Sequence, residues 1–496
     1  MSRRRFLVLF CALTAPGLSA KMGQAADDIR CVFAVTQETL TLSAAGFAAA
    51  AGAVTAASKI SPEIGATPRR VTETFRLTIG LSEDYLTEQR DQSPELLVIH
   101  FPTRRVYALD RKAMTYRESS LYGHVAFRVN ELINRLAIGA GWNAAKQSGA
   151  AWQPPPGVSV IFAAKALDQF RAESLFSLRL PKGSQLTESP SASPVAVGKG
   201  WEFHYQGDPL VKFTPSVQPV PEALRRGFLH FLVHRCQIHP TIRDKVMDAG
   251  VWPESLSFQT TDLPTEKAVT LKLASASNAG AADVWTGIPS GFTLRFDQND
   301  PLDRVLAKLH KLQCGSSKNK RSEDRASLER FVEKSLKENH VLDAYLAWYE
   351  YNARTGDEAP VTVDRIMATE SPQLQDFLKQ DVANVAEGAE KKLRELNAID
   401  RAGLTRGHVI DVFRGALLTL VNRPDEANQQ FLKALEANPL LTSVYVLLGT
   451  NHFRSMATED AWRCFDAAKR INPAAPSLAD VRALETRLER DFPEAF

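Results

Sequence analysis

The sequence predicts two kinds of domain in series: an α+β N-terminal domain, mainly an antiparallel sheet plus helices, and then an all-α helical-repeat domain. Three observations carry this. Before about residue 315 apolar residues alternate with period two in many short stretches, and beyond it they recur at helical spacing. A polar segment rich in Ser, Lys and Arg, 315–327, separates the two regimes. Near the C-terminus two segments repeat each other 34 residues apart. At 496 residues the chain is too long for one ordinary core, which agrees with two domains.

Residues 1–25 read as an export signal: a basic start, an apolar run over 6–15, then small residues with cleavage after Ala20 or Ala25. Ser2-Arg3-Arg4-Arg5-Phe6-Leu7 resembles the bacterial twin-arginine motif, which implies export in a folded state. Val8 replaces the usual lysine, and three arginines equally suit a secretory leader, so both routes stay open. The expected location is the periplasm or the exterior. Removing the leader takes four positive charges from a chain of net charge +3, leaving about −1. That balance gives no basic excess for nucleic acid. Residues 26–70 read as an Ala-rich lead-in. Its apolar part, 42–58, is dominated by alanine and glycine and is poorly driven into lipid, so membrane contact is expected to be peripheral at most.

The α+β domain is assigned to 71–299. Strands are predicted at 74–79, 96–101, 106–109, 158–163, 178–180, 201–205, 256–259 and 269–273, and helices at 124–137, 221–234 and 241–249, the last ending at Gly250. Pro154-Pro155-Pro156 and the Ser/Pro-rich 183–198 are loops. The stretch 96–118, two apolar strands around Arg104-Arg105, resembles the strand pairs of curved-sheet envelope proteins such as lipoprotein carriers. That resemblance implies lipid or lipoprotein handling. Residues 300–326 hold a helix and a charged linker; Asp300 is the N-cap, Pro301 the first helical residue, and Asp303 lies in the first turn.

The region 327–407 is helical by period, at 327–337, 341–353 and 374–396. Tyr345, Trp348, Tyr349 and Tyr351 cluster there, as core packing or as the lining of a peptide groove. Over 408–475, Ala427, Phe431, Ala434 and Asn438-Pro439 recur as Ala461, Phe465, Ala468 and Asn472-Pro473, with Gly415 recurring as Gly449. Small residues suit helices that cross closely, and each proline sits where a helix must stop. This register resembles the tetratricopeptide repeat (TPR), a helix–turn–helix unit that stacks into a binding surface. Asp411 and Arg414 depart from the family's apolar positions, whereas Tyr445 and Leu448 fit them. Residues 476–496 read as a capping helix, with Leu478, Val481, Leu484 and Leu488 on one stripe.

The resemblance implies capture of another envelope protein or peptide, and His408, Asn422, Tyr445 and Asn451, on or beside the first helices, are the candidate contacts. For chemistry, the best candidate is His230, His234, Cys236 and His239: on a helix, residues four apart share a face and two imidazoles can hold one metal. Core histidines on an apolar helix are the competing explanation. No cofactor is expected on the first reading, and a divalent metal such as zinc on the second. Gly139-Ala140-Gly141 follows a helical segment rather than a strand, so it reads as a turn; no nucleophile elbow or phosphate loop occurs. Asp297 to Asp300 lacks the glycine and distal glutamate of a calcium loop. Binding, not catalysis, is therefore the expected function, with a metal-dependent enzyme or lipid handling as alternatives. Cys464 is expected to be a buried free thiol.

Overall fold

A computed structural model describes residues 28–41, 69–130, 186–191, 200–205, 208–238, 240–262, 265–278, 284–314, 325–378, 385–399 and 404–496. The export signal, residues 42–68, the predicted strands at 158–163 and 178–180, the Gly139 turn and the loop at 154–156 lie outside them, as does His239. An antiparallel sheet region comes first and a helical region follows. The strands are β1 Ile29–Thr41, β2 Arg69–Leu81, β3 Tyr85–Arg90, β4 Glu95–His100, β5 Arg105–Asp110, β6 Thr115–Ser120, β7 Leu186–Ser191, β8 Gly200–Tyr205, β9 Asp208–Pro219, β10 Val251–Asp262, β11 Thr265–Asn278 and β12 Thr293–Leu294.

The chain divides into two compact units, one drawn from Met1–Val98 and Arg179–Ser290, the other from Ile99–Leu178 and Gly291–Phe496. The division falls at Ser290 rather than in the charged linker, and β5 and β6 go with the helices.

In the first unit the order β3-β2-β1-β11-β10-β9-β8-β7 is antiparallel throughout. Inside it stands β1, a strand within the 26–70 segment whose alanine-rich composition predicts only a lead-in. Cys31, Phe33 and Val35 alternate inward along it, facing the same side as Leu77 and Ile79 of β2 and Leu271 of β11. Helix α1 Arg225–His230 continues as a π-helical turn, Phe231–Cys236, and α2 Pro240–Ala249 follows. Phe231 stacks on Phe33 with ring centroids 5.7 Å apart, and Phe228 meets Trp252 edge-on at 5.0 Å, so aromatic rings fill the space under the helices. Gly250, at φ 64°, ends α2 in the left-handed conformation that suits glycine, as its position in sequence predicts.

The second unit opens with the antiparallel pair β5–β6, to which β12 adds a parallel edge. Residues 121–130 are helical. Then come α3 Pro301–Cys314, α4 Arg325–Lys337, α5 Val341–Thr355, α6 Pro360–Met367, α7 Pro372–Leu378, α8 Val385–Ala398, α9 Val409–Leu420, α10 Pro424–Ala437, α11 Thr442–Arg454, α12 Thr458–Ile471 and α13 Ala479–Asp491. Asp300 caps α3, its Oδ1 accepting from the Leu302 N–H at 3.0 Å. The helix expected over 374–396 is two helices, α7 and α8.

Candidate functional site

Helices α9 and α10 form one hairpin, α11 and α12 a second, and both are closed by the same contact. A Cβ added to Gly415 would lie 2.5 Å from the Phe431 ring, and one added to Gly449 would lie 2.5 Å from the Phe465 ring. Only glycine lets the aromatic ring reach that close to the facing backbone. Ala427, Ala434, Ala461 and Ala468 are fully buried beside these rings. The turn residues Asn422 and Met456, again 34 apart, both adopt positive φ, at 57° and 65°. The 34-residue register is therefore a register of backbone conformation as well as of side chains.

Helix α5 runs across the ends of both hairpins. Asn438 Nδ2 donates to Glu350 Oε1 at 2.5 Å, and Asn472 Nδ2 donates to the Thr355 carbonyl at 2.7 Å. Each asparagine also turns its Oδ1 back to a main-chain N–H two residues on, at 3.0 and 3.1 Å. Thr442 Oγ1 bonds the Arg354 carbonyl at 2.8 Å, and Asp343 accepts from Thr405 Oγ1 at 2.6 Å. Glu350 is the hub, bonding His408 Nε2 at 2.8 Å and forming an ion pair with Arg406 at 2.5 Å. Burial alone would raise its carboxyl, but the bonds from His408 and Asn438 and the Arg406 charge hold it below the ordinary glutamate value.

Of the four candidate contact residues, Asn422 is exposed and the other three are partly or fully buried. His408 is Glu350's partner, and Asn422 serves the turn. Tyr445 is fully buried, its hydroxyl without a hydrogen-bond partner among the described residues, and burial pushes the phenol's pKa up. Asn451 is 2% exposed and joins the hairpins, donating to Thr419 Oγ1 at 3.0 Å and to Asn428 Oδ1 at 3.1 Å. α9 and α11 leave Leu420 63% exposed, Leu447 37% exposed and the charged Arg454 exposed, while Leu417 is half-buried against the core. Leu447 occupies the register position of Phe413, opposite the glycine that packs on the second helix. Phe413 itself is covered by Tyr349 at 4.5 Å and Phe377 at 4.9 Å, so the aromatic cluster serves packing around α5. Helical phase from Gly415 and Gly449 was the signal that could have selected these leucines.

A cleft of about 190 Å³ lies in the same unit, lined by residues of β6, α3 and α12 and by 294–300. Its more buried part is ion-paired. Arg463 bonds Asp460 at 2.8 Å, Asp300 at 3.4 Å and Asp303; Arg105 bonds Asp466 and Glu118, the latter at 3.3 Å. Burial and then the Asp300 charge push the Asp460 carboxyl above its ordinary value.

In the first unit His230 and His234 are buried with ring centroids 6.2 Å apart, and Cys236 is buried two residues on. His230 ends α1, and His234 and Cys236 lie on the π-helical turn that continues it, a local widening often found at functional sites. Among the described residues no three His, Cys, Asp or Glu side chains form a metal-holding group. Burial raises the Cys236 thiol well above its ordinary pKa, away from the thiolate a metal needs. Cys464 is buried and free, as its helix position predicts. No described helix is long and apolar enough to cross a membrane. No protein-family model matches the chain, and a search of the curated proteins returned no match.

Proposed function

We propose that this chain is an exported, non-catalytic interaction protein of the bacterial envelope, whose TPR-like hairpins hold a segment of another envelope protein. The observation that carries the reading is the Gly–Phe contact repeated 34 residues apart, with Leu420 and Leu447 left exposed on the first helices of the two hairpins. Stacked hairpins of this kind present such residues to helical or extended segments. Asn451 joins the hairpins and His408 bonds Glu350, and Leu420 and Leu447 make the contact.

A photo-crosslinking residue at Leu420 or at Leu447, in cells that express the protein, tests this. The expected result is one shared adduct from both positions, lost when Leu417 is changed to Glu. Absence of adducts, or the same adduct from exposed Val217 in the first unit, would overturn it.

A second reading, a metal-dependent activity, rests on the adjacent buried rings of His230 and His234. Elemental analysis of protein purified without chelators tests it: about one metal per chain, lost in His230→Ala, supports it. The lipid-handling reading draws less support, because Phe33, Phe228, Phe231 and Trp252 pack the helix-covered face of the first unit's sheet.

A further inference from the structure

The cleft in the second unit holds guanidinium groups that its own carboxylates do not satisfy. In the parallel ladder Thr293 pairs with Thr115 and Leu294 with Tyr116, and the Arg295 N–H continues it with a 2.8 Å bond to the Tyr116 carbonyl. One more step in that register puts Arg295 beside Arg117. Neighbours in register on adjacent strands project from the same face about 5 Å apart. Two like charges so placed repel unless something negative lies between them. Both arginines are exposed, both line the cleft, and among the described residues neither has a carboxylate within ion-pair distance. Arg470 on α12 lines the cleft too and, among the described residues, bonds a main-chain carbonyl, that of Asp466 at 3.4 Å, and no carboxylate.

Most of the cleft's acidic groups are already engaged. Asp300 and Asp303 face Arg463, and Asp466 and Glu118 face Arg105. Two remain: Asp297, whose Oδ1 takes the Asn299 N–H, and Glu459, whose carboxyl burial and then Asp460 push above its ordinary value despite the nearby Arg117. The lining thus carries five arginines and six carboxylates, and Arg117, Arg295 and Arg470 are the three arginines outside its ion pairs. Leu294, Phe296, Leu306 and Leu309 supply an apolar wall. The volume equals that of about six liquid waters, enough for a small organic molecule and too little for a folded segment.

We infer that this cleft binds a small organic oxyanion, a carboxylate or phosphate group seated on Arg117 and Arg295 with its carbon skeleton against Leu294 and Phe296. Planar guanidinium forks match both oxyanions in a bidentate way, and a pair of them selects for delocalised negative charge. The site is independent of the partner-binding leucines.

Calorimetric titration of the full mature chain with glutarate and with inorganic phosphate, at low and at high salt, tests it. The expected result is one-to-one binding of at least one probe, weakening as salt rises. Affinity should fall about tenfold or more in Arg117→Gln/Arg295→Gln and be unchanged in Arg70→Gln, in the first unit. Glutarate alone points to a carboxylate ligand, phosphate alone to a phosphoryl one. If the double Gln variant misfolds, Arg117→Lys/Arg295→Lys replaces it, with binding weakened but retained. No binding of either probe at millimolar concentration, or affinity untouched by the double substitution, overturns the inference.

Discussion

The two hairpins share one frame and fill it differently. In the second, Tyr445 and Leu448 are fully buried apolar bulk. At the equivalent positions the first carries Asp411, 1% exposed, and Arg414, which bonds it at 3.4 Å and also donates to the Leu396 carbonyl at 2.9 Å. Lys433 approaches the same carboxylate at 3.8 Å. The Gly–Phe contact is constant because it fixes the distance between the paired helices. The other positions meet whatever precedes the hairpin, so they vary. A buried ion pair adds little net stability but strongly penalises the loss of one partner.

The constant element should be the costliest to remove. Phe431→Ala and Phe465→Ala are each expected to destabilise the second unit by about 3–5 kcal/mol in urea unfolding followed by circular dichroism. A difference between them greater than about 2 kcal/mol would show that the hairpins are not equivalent in frame. The variable element comes next. Asp411→Ala should cost about 3 kcal/mol, because it strands Arg414, whereas Asp411→Tyr with Arg414→Leu, which imports the second hairpin's pair, should recover most of that loss. An equal loss in both would mean that the ion pair is not what sets the cost.

The α5 contacts distinguish the hairpins by pH. Glu350, which holds Asn438 of the first hairpin, has its folded pKa depressed below 4.5, so the stability it contributes is present above that value and is lost as pH falls through the depressed one. Asn472 of the second hairpin bonds a carbonyl and does not titrate. Acidification below pH 4.5 is therefore expected to raise amide hydrogen exchange at Asn438 first, and Glu350→Gln should flatten that response. The smallest effect is expected at Tyr445. Tyr445→Phe removes a buried hydroxyl with no partner among the described residues, and should change the unfolding free energy by less than about 1 kcal/mol, in either direction.

What could be read from the sequence follows the same split. The hairpins, the Asp300 cap, the Gly250 stop and six of the twelve described strands were legible, because each depends on local spacing or on one residue's backbone preference, whereas β7 falls where the Ser/Pro-rich composition predicts a loop. The strand Ile29–Thr41 carries the same alternation, Ile29, Cys31, Phe33, Val35, but lies next to an alanine-rich stretch whose composition masks it. The widened turn at Phe231–Cys236 has no local signature, and its first residue packs on Phe33, which is distant in sequence. The site was less legible than the fold. Polar residues on first helices looked like contacts, yet Asn451 and His408 are consumed by partners distant in sequence, Thr419 and Glu350. The oxyanion cleft was not visible at all, because Arg117, Arg295 and Arg470 come together only through the fold.

The buried thiols give each unit its own clock. Cys31 and Cys236 sit in the core of the first, and Cys464 in the core of the second. Burial pushes the Cys31 thiol up to about 12, and the other two also rise, so almost none is thiolate at neutral pH. With Cys11 and Cys314 replaced by serine, an alkylating reagent can react only when one unit opens. Mass mapping of the labelled cysteine then reports, molecule by molecule, whether the sheet or the helices open first and how often.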